Sequence, residues 1–153
     1  MALQGAALTL QKCALFKDFS ETGIAILASI AAARTLPDGS PLFVEGMAAD
    51  AFFIVKAGAV KITVKAEAGD KLVGLLGVGE ALGQLSLLGS SGARLSTATA
   101  EGTAEVIEIR QSDFMKLQAQ KPQACLKLMM AIATQIVDYL NENRDILRAA
   151  VGK

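Results

Sequence analysis

Hydrophobic residues recur along the chain with two different spacings. In the first 34 residues the spacing is helical. Ile24, Leu27 and Ile30 fall on one face, which predicts helices over residues 8–16 and 21–34. Ser20 stands where the second helix needs a side-chain cap. After Arg34 the spacing changes. The run Leu42, Phe43, Val44 stops at Gly46, and the run 51–55 stops near Gly58. Val60, Ile62 and Val64 alternate with Lys61 and Thr63. Residues 71–76 follow the turn Gly69-Asp70, and 95–100 and 104–109 flank Glu101-Gly102. Short apolar runs bounded by Gly and Asp turns predict strands. Eleven of the 14 glycines lie between Gly39 and Gly102, so the middle is the strand-and-turn region.

After Arg110 the helical spacing returns. Residues 113–120 form one predicted helix. Pro122 suits the first turn of the next, which is predicted to reach about Arg148. The fold class is therefore mainly β with flanking helices. N-terminal helices (1–34), an antiparallel sandwich or jelly roll (35–110) and C-terminal helices (111–153) make one domain. Leu126, Met129, Ala133, Ile136, Leu140, Asn143 and Leu147 recur at alternating steps of three and four, a heptad stripe. Leu128, Ile132 and Tyr139 form a second stripe that could cover the barrel. A helix apolar on two faces needs two partners. The first stripe fits either packing within the chain or a second copy of the same helix, and the homodimer is the preferred expectation. Asn143 would then help to set its register.

Composition narrows the chemistry. In 153 residues, 15 Lys and Arg balance 15 Asp and Glu, and 52% are hydrophobic. A disordered chain is excluded, and a neutral chain lacks the footprint of a nucleic-acid binder. The mean hydropathy of +0.43 is high. Yet the longest apolar run, from Leu128 to Ala133, is far below the ~20 residues of a membrane helix. No Lys or Arg precedes Lys12, so a secretory signal is not expected, and the expected location is cytoplasmic. There is no histidine, and the cysteines are Cys13 and Cys125 alone. His-based catalysis and a Cys/His zinc site within one chain are excluded, and no metal is expected. Both cysteines read as small core residues. Gly77-Val78-Gly79 begins a dinucleotide fingerprint, but the next glycine, Gly83, comes one residue late. The chain does not read as an enzyme.

One segment carries chemistry. From Leu82 to Ala98 the chain reads Leu-Gly-Gln-Leu-Ser-Leu-Leu-Gly-Ser-Ser-Gly-Ala-Arg-Leu-Ser-Thr-Ala. Gly83 permits close backbone approach and opens a short apolar helical turn over 84–88. A helix start offers free N–H groups to an anion. Arg94 stands alone among apolar and hydroxyl residues, and a guanidinium can grip two phosphate oxygens at once. Ser96 and Thr97 are short hydroxyl donors beyond it. The plain alternative is an ordinary turn at Gly83 and an exposed strand charge at Arg94.

The segment resembles the phosphate-binding cassette of cyclic nucleotide-binding domains. That family typically shows Phe-Gly-Glu-Leu-Ala-Leu, a short insert and Pro-Arg-Ala-Ala-Thr. Leu36-Pro37-Asp38-Gly39, Leu42-Phe43-Val44-Glu45-Gly46, Asp50 and the stretch 52–58 are similar to its first strands, and Phe114 and Pro122 to its helices. The resemblance covers about residues 10–145. It implies a cyclic nucleotide ligand held by Gly83, Gln84, Leu85, Ser86, Arg94, Leu95, Ser96 and Thr97. Ile62 and Leu76 are the candidate apolar wall, with Tyr139 at the base.

Three departures qualify it. The family's Glu is Gln84, so the implied contact to the ribose 2′-hydroxyl loses its charge. The usual Pro before the Arg is Ala93. Where bacterial activators of the family carry Thr-Ser, this chain has Tyr139-Leu140. Tyr139 is read equally as a ring stacked on the base, which tolerates any base, or as a packed aromatic on the barrel. Leu95 in place of a hydroxyl after Arg94 tilts the ligand toward cyclic AMP over cyclic GMP.

The leading expectation is a stand-alone regulatory sensor that shifts its C-terminal dimer helix when the ligand binds. No nucleic acid or membrane partner is expected. The alternative is a degenerate domain that serves as a dimer or interaction scaffold. A third reading is a fragment of a longer regulator.

Overall fold

The computed structural model describes residues 4–88 and 92–151. The cassette insert at 89–91 and the outermost ends of the 1–153 domain lie outside the described residues. The chain begins with α1 (Ala6–Lys12), a 3-10 turn (Ala14–Phe16) and α2 (Glu21–Ala28). Six strands follow: β1 (Ala31–Leu36), β2 (Pro41–Phe43), β3 (Ala51–Ala66), β4 (Gly69–Leu76), β5 (Ala81–Leu82) and β6 (Thr97–Arg110). A second 3-10 turn, Gln84–Leu88, sits between β5 and β6. Then come α3 (Gln111–Gln120), α4 (Pro122–Glu142) and α5 (Arg144–Val151). All pairings are antiparallel. The sheet runs β1-β6-β3-β4, with β2 added to β6 and β5 to β3. The mainly β class with flanking helices and a long C-terminal helix matches the sequence reading.

Strand alternation builds two cores. On β3, Ala51, Phe53 and Val55 face the interior of the roll, with Ala98, Ala100, Ala104 and Val106 of β6. Phe52, Ile54, Ile107 and Ile109 face the opposite way and meet the helices. There they join Leu10, Phe16 and Leu27 from the N-terminal end and Phe114, Leu128 and Ile132 from the C-terminal end. Because β3 is covered on both faces here, residues 51–55 read as an unbroken apolar run. Cys13 and Cys125 are buried in the helix-side core, and burial pushes both thiols up, which keeps them protonated and unreactive.

Ser20 caps α2 as expected, its Oγ accepting from the Gly23 N–H at 3.0 Å. Pro122 opens α4 as expected. Four boundaries differ. Residues 8–16 divide at Cys13 into α1 and the 3-10 turn. The helix expected over 21–34 ends at Ala28. The alanines 31–33 favour helix by propensity, but six consecutive pairings with β6, from Ala31↔Ile109 to Leu36↔Ala104, override it. The long helix breaks at Asn143, short of Arg148. Its Nδ2 donates to the Tyr139 carbonyl at 2.8 Å, closing the end of α4. Asn143 is thus engaged within its own chain at the end of α4.

The fourth difference is that the expected short strands merge. Runs 51–55 and 60–64 are one strand, and so are most of 95–100 and 104–109. β3 bends through Gly58, whose φ is +75°, with register shifts on either side. A Cβ there would lie 2.4 Å from the Thr103 carbonyl oxygen. Backbone cannot move aside as a side chain can. Gly58→Ala should cost on the order of 3 kcal/mol, combining the strained φ with the overlap. A urea denaturation midpoint equal to that of the parent would contradict this account of the bend.

Candidate functional site

The site begins where β5 ends. Leu82 pairs with Phe53, which places Gly83 beside the start of β3. The following turn is held at three points. The Ser86 N–H and Oγ both reach the Gly83 carbonyl, at 3.1 and 2.7 Å, and Gln111 Nε2 donates to the Ser86 carbonyl at 2.6 Å. Leu87 anchors the turn in the helix-side core, while Leu85 points outward. Gln84 reaches across to α4, its Nε2 donating to Gln135 Oε1 at 3.1 Å.

Arg94 is fixed from both sides. Its N–H donates to the Met47 carbonyl at 2.7 Å, its carbonyl accepts from Gly46, and Ala93 bridges Ala48. The side chain is 5% exposed, so the reading of an exposed strand charge does not hold. Nη2 donates to the Ala51 carbonyl at 2.9 Å and lies 3.9 Å from Asp50 Oδ1. The guanidinium carbon is 4.2 Å from the Phe43 ring centroid and 5.7 Å from that of Phe53. Among the described residues Nε is buried without a hydrogen-bond partner. Burial pushes the guanidinium below its ordinary value, and Asp50 pulls it back up. Asp50 is itself 81% exposed, so its countercharge is largely screened by water. A buried cation with so little compensation is costly. An anion delivered to it would find a strong, under-used partner.

Arg94 lines a cavity of about 550 Å³ together with Phe43, Phe53 and Asp50. A charged trio forms another part of its wall. Glu108, 11% exposed, lies 3.3 Å from Arg34 and 3.7 Å from Arg110. No cluster able to hold a metal ion occurs among the described residues.

The sequence matches the cyclic nucleotide-binding domain family across residues 33–121, which spans the cassette and all of the roll but the first two residues of β1. The chain belongs to this family. It is similar to the cyclic AMP receptor protein of Thermus thermophilus, 27% identical over 80% of this chain and 56% of that protein. It is also 31% identical to glutaminase 1 of Bradyrhizobium diazoefficiens, over 87% of this chain but 21% of that protein. The chain thus spans about a fifth of one of these curated relatives and just over half of the other. The crystal structure of the N-terminal domain of a transcriptional regulator from Streptomyces coelicolor superposes with a TM-score of 0.78 at 25% identity, covering 87% of this chain and 95% of that one.

Against this family's pattern, the cassette residues Gly83, Gln84, Leu85 and Ser86 form one compact turn, and Arg94 lies against it. A Cβ on Gly83 would sit 2.6 Å from Arg94 Nη1. Thr97 Oγ1 accepts from the Glu45 N–H at 2.9 Å, so this hydroxyl holds the loop before β3. Ser96 is half-buried, and Leu95 is 86% exposed outside β6. Ile62 and Leu76 lie on paired stretches of β3 and β4, partly buried against the roll interior. Neither lines the cavity at Arg94.

Tyr139 is 64% exposed, so it is not the packed barrel aromatic of one reading. Its stripe is divided: Leu128 and Ile132 are buried, while Tyr139 lies on the same face beyond them, in the stretch 137–142 of α4 where every residue is exposed. The heptad stripe is divided too. Met129 and Ile136 pack on the core, while Leu126 and Leu140 are exposed. Positions three residues apart on a helix lie about 60° apart, so Leu126, Ala133 and Leu140 fall outside the packed edge that Met129 and Ile136 occupy.

Several site residues escaped sequence reasoning as participants: Phe43, Phe53, Arg34, Glu108, the Ala51 carbonyl and Gln135. Arg34 and Glu108 did leave a signal. They are charges in inward register with Leu36 and Val106, where alternation calls for apolar residues.

Proposed function

We propose that this domain is a cyclic nucleotide sensor, with cyclic AMP as the preferred ligand and no catalytic activity of its own. The observation that carries the reading is Arg94. It is a nine-tenths buried guanidinium at a glycine turn, with one nitrogen unpartnered among the described residues. A ligand phosphate would meet the need that Asp50 leaves open. The phosphate would engage Gly83 to Ser86 and Arg94, with Ser96 and Thr97 beyond and Ile62, Leu76 and Tyr139 closing around the base. The Gln84–Gln135 bond supports a path from the cassette to α4. The exposed apolar face of α4, with Leu126, Met130, Val137 and Leu140, is where a second copy would dock. Ligand would then shift the helix only by its differential affinity for two states. The proposed location is the cytoplasm.

A melting experiment tests the reading. Cyclic AMP at 100 times its dissociation constant should add about 2.7 kcal/mol and raise the midpoint. No shift up to millimolar ligand would favour the scaffold reading, which draws its support from Gln84 in place of a carboxylate. Charged hydrogen bonds net ~1.5–3 kcal/mol against ~0.5–1.5 for neutral ones. Gln84→Glu should therefore tighten cyclic AMP about tenfold. An unchanged affinity in that variant would remove Gln84 from the ligand site.

A further inference from the structure

We infer that Gln135 on α4 is a positioning residue for the ligand's ribose hydroxyl, acting through Gln84; this rests on the nucleotide reading above. A Gln side chain has one acceptor oxygen and one donor nitrogen. In Gln84 the nitrogen is engaged by Gln135 Oε1 at 3.1 Å, and among the described residues Oε1 has no protein partner. The amide is thus oriented with its donor toward α4 and its acceptor free. A ribose 2′-hydroxyl is the donor that such an oxygen can use. A carboxylate at position 84 could pair with Gln135 only if Gln135 turned its amide to donate through Nε2. The amide at 84 thus lets Gln135 serve as the acceptor of this bond. Gln84 and Gln135 are both half-buried, and the bond joins two elements 51 residues apart in sequence. It ties the cassette turn to the long helix by side chains.

The test uses the full chain and two ligands, cyclic AMP and 2′-deoxy cyclic AMP, titrated by calorimetry. The parent should prefer cyclic AMP about fivefold to tenfold, the value of one neutral hydrogen bond. Gln135→Leu should bring that ratio close to one and leave the affinity for the deoxy ligand unchanged. Gln135→Glu should restore the preference, because a carboxylate can still accept from Gln84 Nε2. Equal weakening of both ligands in Gln135→Leu would mark a merely structural role and overturn the inference. So would a Gln135→Glu variant that behaves like Gln135→Leu, or a parent with no preference. Failure of the parent to bind either nucleotide would instead overturn the sensor reading itself, and the inference with it.

Discussion

Arg94→Ala should lower cyclic nucleotide affinity a hundredfold or more while leaving a folded domain. The two effects separate because the side chain does two jobs of unequal size. Toward a phosphate it would supply at least two charged hydrogen bonds, each net ~1.5–3 kcal/mol. Toward the fold it supplies one bond to the Ala51 carbonyl, contact with the Phe43 and Phe53 rings and a screened pair with Asp50. Against these stands the cost of keeping a guanidinium 5% exposed with Nε unsatisfied. Removing the group loses the bond and relieves the burial, so the net change in stability should stay within about 2 kcal/mol. Arg94→Lys sharpens the result. It keeps the charge but replaces a planar fork with a point, and it should recover only part of the affinity. Calorimetry gives the affinities and urea unfolding the stability. Full affinity in Arg94→Ala would remove the phosphate from this position.

Gly83→Ala should damage both stability and binding, and for one geometric reason. Gly83 adopts φ +74°, which an L side chain rarely tolerates. An added Cβ would lie 2.6 Å from Arg94 Nη1 and 2.8 Å from the Ala51 carbonyl oxygen. That carbonyl accepts the buried hydrogen bond from the same guanidinium, through Nη2. The carbonyl is backbone and cannot swing clear, so Arg94 must move. Strain of this kind costs ~1–3 kcal/mol before the lost bond is counted, and the sum should be roughly 2–4 kcal/mol. A displaced guanidinium should also cost at least about tenfold in affinity. Thermal melts with and without cyclic AMP read both quantities. Parent-like melts in both conditions would show that Gly83 and Arg94 do not press on one another as described.

Much of this was legible in the residue order. Helical spacing at both ends, glycine-bounded runs between them and the Leu82-to-Ala98 segment carried the architecture and the family. What was not legible came from long-range pairing. Alanines 31–33 carry no local sign that they pair with β6. Gly58 and Glu101-Gly102 read as strand ends because a bend and a turn use the same residues. The site was legible as Gly83 and Arg94. Its neighbours Phe43, Phe53, Arg34 and Glu108 were not, since they reach one cavity only after β1, β2, β3 and β6 assemble. Gln135 lies 51 residues from Gln84, and no spacing rule links them. Tyr139 is exposed because the last turns of α4 run past the core, and the heptad stripe splits because its two sets of positions lie on either side of the packed edge.

Titration calorimetry of the purified protein with cyclic AMP, then cyclic GMP, reads whether a cyclic nucleotide binds at the cassette through Arg94. Saturable heat with micromolar or tighter affinity, stronger for cyclic AMP and lost in Arg94→Ala, is the predicted result. No heat with either nucleotide up to millimolar concentration would contradict that binding and leave a cyclic nucleotide-binding fold used as a scaffold.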